Sequence, residues 1–190
     1  NDVDVVMDAS SKPIFPGGEY YIMPAIWGPP GGGVRLAKTR NSDCPVTVLQ
    51  DYGEVIFGQP VKFTLPGRGS GLIITNTPVE EFIKKPECAS SSKWSVFVDD
   101  EIEKACVGIG GHEDHPGEQV FSGTFTIQKS RTPYNSYKLV FCESDSSTCS
   151  DIGRYDNNEG GRRLILTHHN PFQVVFMDAS TFDGTIRSDG

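Results

Sequence analysis

Short segments in which hydrophobic and polar residues alternate recur along the whole chain. Residues 61–65 and 125–129 follow a strict period of two, which is typical of a strand with one face in a core. Clusters of Gly, Pro, Asn and Asp separate these segments and indicate turns. The pattern predicts roughly a dozen strands in an all-β barrel or sandwich. Further β-rich segments lie at residues 20–23, 46–49, 94–98, 137–141, 163–166 and 172–176.

Only one stretch of the chain favours a helix, and a faint internal repeat favours a barrel. Residues 79–85 could form a helical turn, but Pro78 and Pro86 bracket them, so we expect no helix there. The segment 20–23 followed by 33–36 resembles residues 137–140 followed by 163–166. Two such similar units, with a more divergent middle third, favour a barrel built from three related parts.

Composition narrows the functional class. The chain has 190 residues, of which 36% are hydrophobic and 22% charged, so we expect one folded domain spanning residues 1–190. The formal net charge is −8, which argues against nucleic acid and anionic membrane surfaces as partners. The apolar runs are far shorter than a membrane span. The first residues, Asn1 and Asp2, are followed by no signal-like apolar segment, so we expect a mature form whose signal peptide has been removed.

The cysteines indicate disulfides rather than a metal or redox site. The five residues include no Cys-x-x-Cys pair, which disfavours zinc ribbons and thioredoxin-type motifs. Two of them flank the polar stretch 143–148, the composition of a surface loop closed by a local bridge. An odd total leaves one thiol over. The cysteines are Cys44, Cys88, Cys106, Cys142 and Cys149.

The sequence contains no complete motif for metal binding or catalysis. Residues 111–115 carry two histidines without the His-Glu-x-x-His spacing, so a polar hairpin loop is the better interpretation. The pair 168–169 lies in a turn, where adjacent side chains point apart. Ser70 lacks the complete Gly-x-Ser-x-Gly motif of a nucleophile elbow. We therefore expect no metal, no cofactor and no catalytic residue, and the basic pair 162–163 is interpreted as a surface ion pair with Asp156 and Glu159.

Several ordered motifs together resemble the Kunitz soybean trypsin-inhibitor family, and the match covers nearly the whole chain. This resemblance implies a β-trefoil fold, disulfides Cys44–Cys88 and Cys142–Cys149, and a secreted seed protein, located in the vacuole. Cys106 has no family partner, and we interpret it as a buried, free thiol rather than a dimerising one, in a monomer. The motifs are Val6-x-Asp8, Pro13-Ile14, Gly17-Gly18-Glu19-Tyr20-Tyr21-Ile22, Gly31-Gly32-Gly33, Cys44-Pro45-Val46-Thr47-Val48, Lys93-Trp94-Ser95-Val96, Tyr137 to Cys142, Cys149 to Gly153 and Arg162-Arg163-Leu164.

The family's function resides in an exposed loop after the fourth strand, which enters a serine protease in a substrate-like pose. In this chain that loop is Leu65-Pro66-Gly67-Arg68-Gly69-Ser70-Gly71. Arg68 is its only basic residue, and a guanidinium pairs well with the Asp at the base of a trypsin-like specificity pocket. The resemblance therefore implies a trypsin-like partner with Arg68 as the primary specificity (P1) residue.

Two departures from the family pattern leave a second function open. Gly67, Gly69 and Gly71 alternate through the loop, and each glycine adds about 0.5–1 kcal/mol of ordering relative to Ala. The family has an Asn that braces the loop just before the Gly-Gly segment, where this chain has Pro16. We therefore expect weak or modest trypsin inhibition, or alternatively a seed storage or defence protein that has lost tight inhibition.

Overall fold

The computed structural model describes residues 3–26, 30–40, 42–67, 71–131 and 133–181, which form thirteen β-strands in one hydrogen-bonded sheet. Among these residues, no helix is long and apolar enough to cross a membrane. The strands are β1 (Glu19–Pro24), β2 (Val34–Ala37), β3 (Thr47–Asp51), β4 (Val61–Thr64), β5 (Pro78–Ile83), β6 (Trp94–Asp99), β7 (Lys104–Ile109), β8 (Val120–Phe121), β9 (Gly123–Lys129), β10 (Tyr137–Glu143), β11 (Cys149–Asp156), β12 (Gly161–Thr167) and β13 (Val174–Asp178).

Six strands close into an antiparallel barrel. Each pairs with the next in the order β1, β4, β5, β9, β10 and β13, and β13 pairs again with β1. The ring is completed where Tyr137 of β10 lies opposite Val174 of β13. Because the sheet closes on itself, these strands leave no long unpaired edge.

Three hairpins, β2–β3, β6–β7 and β11–β12, meet one another beside the barrel. Strand β12 pairs with β3 and with β7, and β3 pairs with β7. Each third of the chain thus supplies two barrel strands and one hairpin, which is the β-trefoil architecture that the resemblance implied. The two-residue strand β8 pairs with β6 outside this plan and raises the count from twelve to thirteen.

The barrel core follows the alternation that the sequence predicted. Val61 and Phe63 are fully buried, whereas Lys62 between them is exposed. The ring of Phe63 lies 5.2 Å from that of Phe176 in an edge-on contact, and Tyr137 stacks on the same Phe176 at 5.7 Å. Residues 79–85, the one stretch whose sequence favours a helix, contribute most of β5. The prolines on either side had led us to expect no helix there.

Both disulfides expected from the resemblance are present in the structure. Cys44 and Cys88 are bonded with 6.0 Å between their Cα atoms, and they connect the segment before β3 to the β5–β6 connection. Cys142 and Cys149 lie directly opposite each other at the end of the β10–β11 hairpin, with 4.0 Å between their Cα atoms. Cys106 on β7 is a free cysteine and is fully buried.

The expected surface ion pair of Arg162 and Arg163 with Asp156 and Glu159 is only partly correct: Arg163 does pair with Glu159, but it lies in the interior and not at the surface. Only 1% of the Arg163 side chain is exposed, and its guanidinium binds the buried carboxylate of Asp99 and the partly buried one of Glu159. Strand alternation places Arg163 beneath the meeting point of the hairpins, so its charge needs internal partners. Arg162, on the other face of β12, binds the carbonyl oxygen of Pro30 and the side chain of Gln50 instead.

The polar loop at residues 111–115 is a turn, as predicted, but one of its histidines is buried. His115 is 2% exposed, its ring stacks on Phe97 at 4.0 Å, and its Nε2 lies 2.8 Å from the carbonyl oxygen of Ile109. Burial lowers the pKa of His115. This histidine therefore acts as a packed core side chain.

Candidate functional site

The loop between β4 and β5 is the candidate site, and its central residues, including Arg68, Gly69 and Ser70, lie outside the described residues. Its two ends are anchored differently. Leu65 is half-buried and packs against the barrel core, whereas Pro66 and Gly67 are exposed. On the far side Gly71 and Leu72 are exposed and Ile73 is fully buried. The two described ends of the loop are thus attached to the barrel by apolar residues, Leu65 and Ile73.

The N-terminal segment holds the far end of the loop. The backbone N–H of Val6 donates to the carbonyl of Ile73 at 2.9 Å, and that of Thr75 donates to the carbonyl of Asp4 at 2.8 Å. Asp4 N–H in turn donates to Thr75 Oγ1 at 2.9 Å. These bonds form a short antiparallel ladder centred on the pair Val5 and Ile74. The position of the loop therefore depends on a strand-like segment some seventy residues earlier in the chain.

Two buried tyrosines fix that N-terminal segment to the barrel. The hydroxyl of Tyr137 accepts a hydrogen bond from the N–H of Met7 at 2.9 Å, and that of Tyr20 accepts one from Phe15 N–H at 2.9 Å. Burial raises the pKa of both phenols above the usual value, so both remain neutral at physiological pH. The ladder beside the loop is thereby tied to β1 and β10.

The turn that contains Pro16 lies beside the near end of the loop. Gly17 N–H donates to the carbonyl of Phe63 at 2.9 Å, one residue before β4 ends. Pro16 itself is half-buried and has no N–H to donate. The only brace that this turn gives to the near end, among the described residues, is therefore a backbone bond from Gly17.

The glycines at the two described ends of the loop have backbone conformations that favour glycine. Gly67 has φ +70° and Gly71 has φ +111°, and a Cβ at either position would meet no atom of the described residues within 4 Å. Other residues would be strained there by the backbone rather than by neighbours. These two glycines therefore belong to the shape of the loop and are not merely a source of flexibility.

Two exposed apolar side chains lie near the loop ends, and only one of them, Leu72, was considered from the sequence as a contact residue. Phe15 is 55% exposed, just before Pro16, and Leu72 is 43% exposed, just after Gly71. Both flank segments that are hydrogen-bonded into the fold, so they can enlarge an apolar contact with a partner at little conformational cost. Single exposed apolar residues are common, and only their position beside the loop distinguishes them.

The described ranges contain neither a cluster of metal ligands nor a reactive thiol. Within them, no group of three or more His, Cys, Asp or Glu residues is arranged to hold a metal ion. The only free cysteine among these residues, Cys106, is buried, and burial raises its pKa to about 11, so it is not a nucleophile at neutral pH.

Comparison with known proteins agrees with this geometry. The Kunitz_legume family model, described as "Trypsin and protease inhibitor", matches residues 6–178. The chain is 60% identical over 183 residues to a Kunitz-type trypsin inhibitor-like 2 protein of Pisum sativum, covering 96% of this chain and 84% of the relative.

Solved structures show the same fold. A Kunitz-type trypsin inhibitor from Cicer arietinum superposes with a TM-score of 0.89 at 63% identity, over 93% of this chain and 99% of that one. Soybean trypsin inhibitor in complex with porcine pancreatic trypsin superposes with a TM-score of 0.77 at 33% identity, over 92% and 99%. The members of this family inhibit proteases and are not enzymes. The chain belongs to the legume Kunitz family of trypsin and protease inhibitors.

Proposed function

We propose that this protein is a weak or modest inhibitor of a trypsin-like serine protease, acting through substrate-like insertion of residues 65–71 with Arg68 as the P1 residue. The observation that carries the proposal is the anchoring of both loop ends, through Val6 to Ile73 and through Gly17 to Phe63. An inhibitory loop must keep its shape when bound, and anchored ends reduce the entropy lost on binding.

Modest affinity follows from the near end of the loop. Pro16 replaces the Asn whose side chain would brace the loop, and three glycines lie within seven residues. Glycine ordering of about 1.5–3 kcal/mol would weaken binding by roughly ten- to a hundredfold.

The proposal is tested by titrating bovine trypsin and chymotrypsin with the purified protein and measuring residual activity on small chromogenic substrates. We expect trypsin inhibition in the micromolar range, abolished by Arg68→Ala and unchanged by Arg131→Ala, an exposed arginine between β9 and β10. Inhibition that survives Arg68→Ala would overturn the assignment of P1. Inhibition of chymotrypsin alone would assign P1 to Leu72, which is exposed, rather than to Leu65, which packs against the core.

A second candidate function is a seed storage or defence protein on the same fold. Pro16 favours it, because the brace of the loop is then reduced to the Gly17 backbone bond. Complete absence of inhibition of both proteases, in a protein whose fold is intact by circular dichroism, would favour this alternative.

We also propose that the protein is secreted and stored in the seed vacuole. Two disulfides support an oxidising route of synthesis, because such bonds persist outside the cytosol. Immunogold labelling of seed sections should place the protein in vacuoles; label confined to the cytosol would contradict the proposal.

A further inference from the structure

Two arginines lie side by side on the β11–β12 hairpin. Arg154 pairs with Leu164 in the antiparallel register, and Arg162 is two residues from Leu164 on the same strand. Residues two apart in a strand point to the same face, so both guanidinium groups project from one side of the hairpin. Both side chains are half-buried.

A buried amide holds both arginines in place. Oε1 of the fully buried Gln50 accepts a hydrogen bond at 3.2 Å from Nη1 of Arg154 and another at 3.2 Å from Nη1 of Arg162. The same two Nη1 atoms donate to the carbonyl oxygen of Pro30, at 2.9 and 3.1 Å. Gln50 Nε2 donates to that carbonyl as well and to the carbonyl of Gly32. The arginines are thus positioned in advance of any ligand.

Most of the donors of these two groups remain unused. A guanidinium has five N–H donors in a fork, and the bonds above involve only Nη1 of each arginine. Within the part of the chain that is described, Nε and Nη2 of both arginines have no acceptor. These are the donors that bind a phosphate, sulfate or carboxylate in pairs.

The charge of the two arginines is not neutralised by a salt bridge. No carboxylate among the described residues lies within 4.0 Å of either guanidinium. Burial, and then the charge of Arg162, lowers the pKa of Arg154. Asp156 lies opposite Arg162 in the strand register and lines the same cavity, so the two charges interact. Its Oδ1 already accepts bonds from Tyr52 and from the N–H of Asn158. An acidic protein therefore presents a local pair of positive charges that a single neighbouring carboxylate, Asp156, offsets only in part.

A groove leads away from the arginines and ends on apolar residues. Two adjoining cavities of about 530 and 450 Å³ share Pro30, Arg154 and Asn170 as walls. The larger one extends to Pro24 and to Ile26, which is 59% exposed. We call this feature, from Arg162 and Arg154 to Ile26, the arginine groove.

An aromatic ring packs against each of the two guanidinium groups. The guanidinium carbon of Arg154 lies 4.5 Å from the ring centre of Phe172, and that of Arg162 lies 5.1 Å from the ring of Tyr52. Stacking of this kind holds the plane of a guanidinium and leaves its edge free for in-plane hydrogen bonds. The edges are where an anion would bind.

We propose that the arginine groove binds a small organic anion, with its phosphate, sulfate or carboxylate group on Arg154 and Arg162 and its apolar part along Pro24 and Ile26. The groove is formed by the β11–β12 hairpin and the segments beside it, whereas the protease loop joins β4 and β5. The inference is therefore independent of protease inhibition. If the role of Arg154 and Arg162 were purely structural, they would need only to hold the carbonyl group of Pro30 in place.

Isothermal titration with phenyl phosphate, inorganic phosphate and benzyl alcohol tests the proposal at near-neutral pH and low salt. We expect phenyl phosphate to bind in the millimolar range or tighter, inorganic phosphate about tenfold more weakly, and benzyl alcohol not at all. Phenyl phosphate and inorganic phosphate binding equally would overturn the assignment of the apolar end. Absence of phenyl phosphate binding to the unmodified protein would overturn the proposal.

Four variants distinguish anion binding in the arginine groove from a general effect of the protein's net charge. Arg154→Gln and Arg162→Gln should each weaken phenyl phosphate binding about tenfold, because each removes a charged fork. Arg40→Gln removes the same charge from an exposed site and should change affinity less than about twofold. Ile26→Ser should lower the affinity for phenyl phosphate to that for inorganic phosphate.

Trypsin titration and thermal unfolding of the same variants complete the test. Inhibition should be unchanged in Arg154→Gln, because that residue is not part of the protease loop. If Arg154→Gln fails to fold, Arg154→Lys keeps the charge and loses the fork, and it should still weaken phenyl phosphate binding. Equal loss of binding in Arg40→Gln and Arg154→Gln would overturn the proposal.

Discussion

Arg163 and Asp99 form an ion pair that is almost completely shielded from solvent: Nη2 of Arg163 lies 3.0 Å from Oδ2 of Asp99, and the two side chains are 1% and 5% exposed. Glu159 supplies a second carboxylate, 2.7 Å from Nε. Nη1 donates to Sγ of Cys106 at 3.5 Å. Because Asp99 and Cys106 belong to the β6–β7 hairpin and Arg163 to β12, one guanidinium joins two of the three hairpins.

Removal of this guanidinium should destabilise the protein strongly. Arg163→Met leaves the buried carboxylate of Asp99 and the partly buried one of Glu159 without a cation, and we expect the free energy of unfolding to fall by about 3–5 kcal/mol in urea denaturation. Lys93→Met is the matched control, since its 2.7 Å pair with Glu80 is largely exposed. The control should lose no more than about 1 kcal/mol. Equal losses of unfolding free energy in the two variants would show that the group formed by Arg163, Asp99 and Glu159 stabilises the protein no more than a surface ion pair does.

A buried carboxyl group should make stability fall as the pH rises. Glu81 faces the barrel core from β5 and is fully buried, and neither of its carboxyl oxygens has a hydrogen-bond partner among the described residues. Burial raises its pKa from the usual 4.5 to about 8. The folded state therefore holds a proton that the unfolded state releases, so the contribution of Glu81 is complete below about pH 4.5 and is lost as the pH rises to about 8.

The measurement is urea unfolding across this pH range for the unmodified protein and for Glu81→Gln. The difference between the two should change by up to about 5 kcal/mol, with Glu81→Gln gaining relative stability towards higher pH. The lowered pKa values of Asp114 and Glu159 act in the opposite sense, because their contribution is lost as the pH falls. Those groups are present in both proteins and cancel in the difference. A flat difference curve would mean that Glu81 is ionised or solvated in the fold.

The buried thiol of Cys106 should not react with thiol reagents in the native protein. Cys106 is fully buried and its raised pKa, about 11, leaves almost no thiolate at neutral pH. We expect a thiol reagent such as DTNB to react with no group in the native protein and with one in denaturant without reductant. Rapid native labelling, or a disulfide-linked dimer on a non-reducing gel, would contradict this expectation.

The sequence predicted the barrel better than the polar interior. Alternation at Val61 and Phe63 depends on local side-chain periodicity, which a strand carries into any fold. The burial of Arg163 and Glu81 depends instead on which strands become neighbours, and a charged residue in a strand pattern ordinarily indicates a solvent face. The pairing of Arg163 with Glu159 was predicted from proximity in the chain, whereas Asp99, sixty-four residues away, was not.

The position of the candidate site could be predicted from the sequence, but the hydrogen bonds that hold the ends of the loop could not. The loop at residues 65–71 was located by resemblance, and its glycines and Pro16 were visible as departures. The ladder between Val6 and Ile73 was not visible, because a bond between backbone groups leaves no signature in side-chain identity. The groove around Arg154 was missed for a related reason: its arginine pair is formed across two strands, and Gln50, which positions it, lies on a third.

The near end of the loop should be the place where affinity for trypsin can be gained. Pro16→Asn would supply a side-chain amide beside a turn that now braces β4 through Gly17 alone, and we expect inhibition to strengthen about tenfold. Gly67→Ala should act in the opposite direction, because φ +70° strains a residue with a Cβ. The inhibition constant for trypsin is measured for each variant, and thermal unfolding checks the fold.

Pro116→Asn, at an exposed proline between β7 and β8, is the control for the loss of a proline elsewhere, and it should leave inhibition unchanged. A gain with Pro16→Asn would show that a functional loop was limited by its brace, which supports an inhibitor with reduced affinity. If neither Pro16→Asn nor the unmodified protein inhibits trypsin, the missing brace does not explain the loss. The storage or defence function would then account better for a loop whose ends are anchored but whose centre no longer engages a protease.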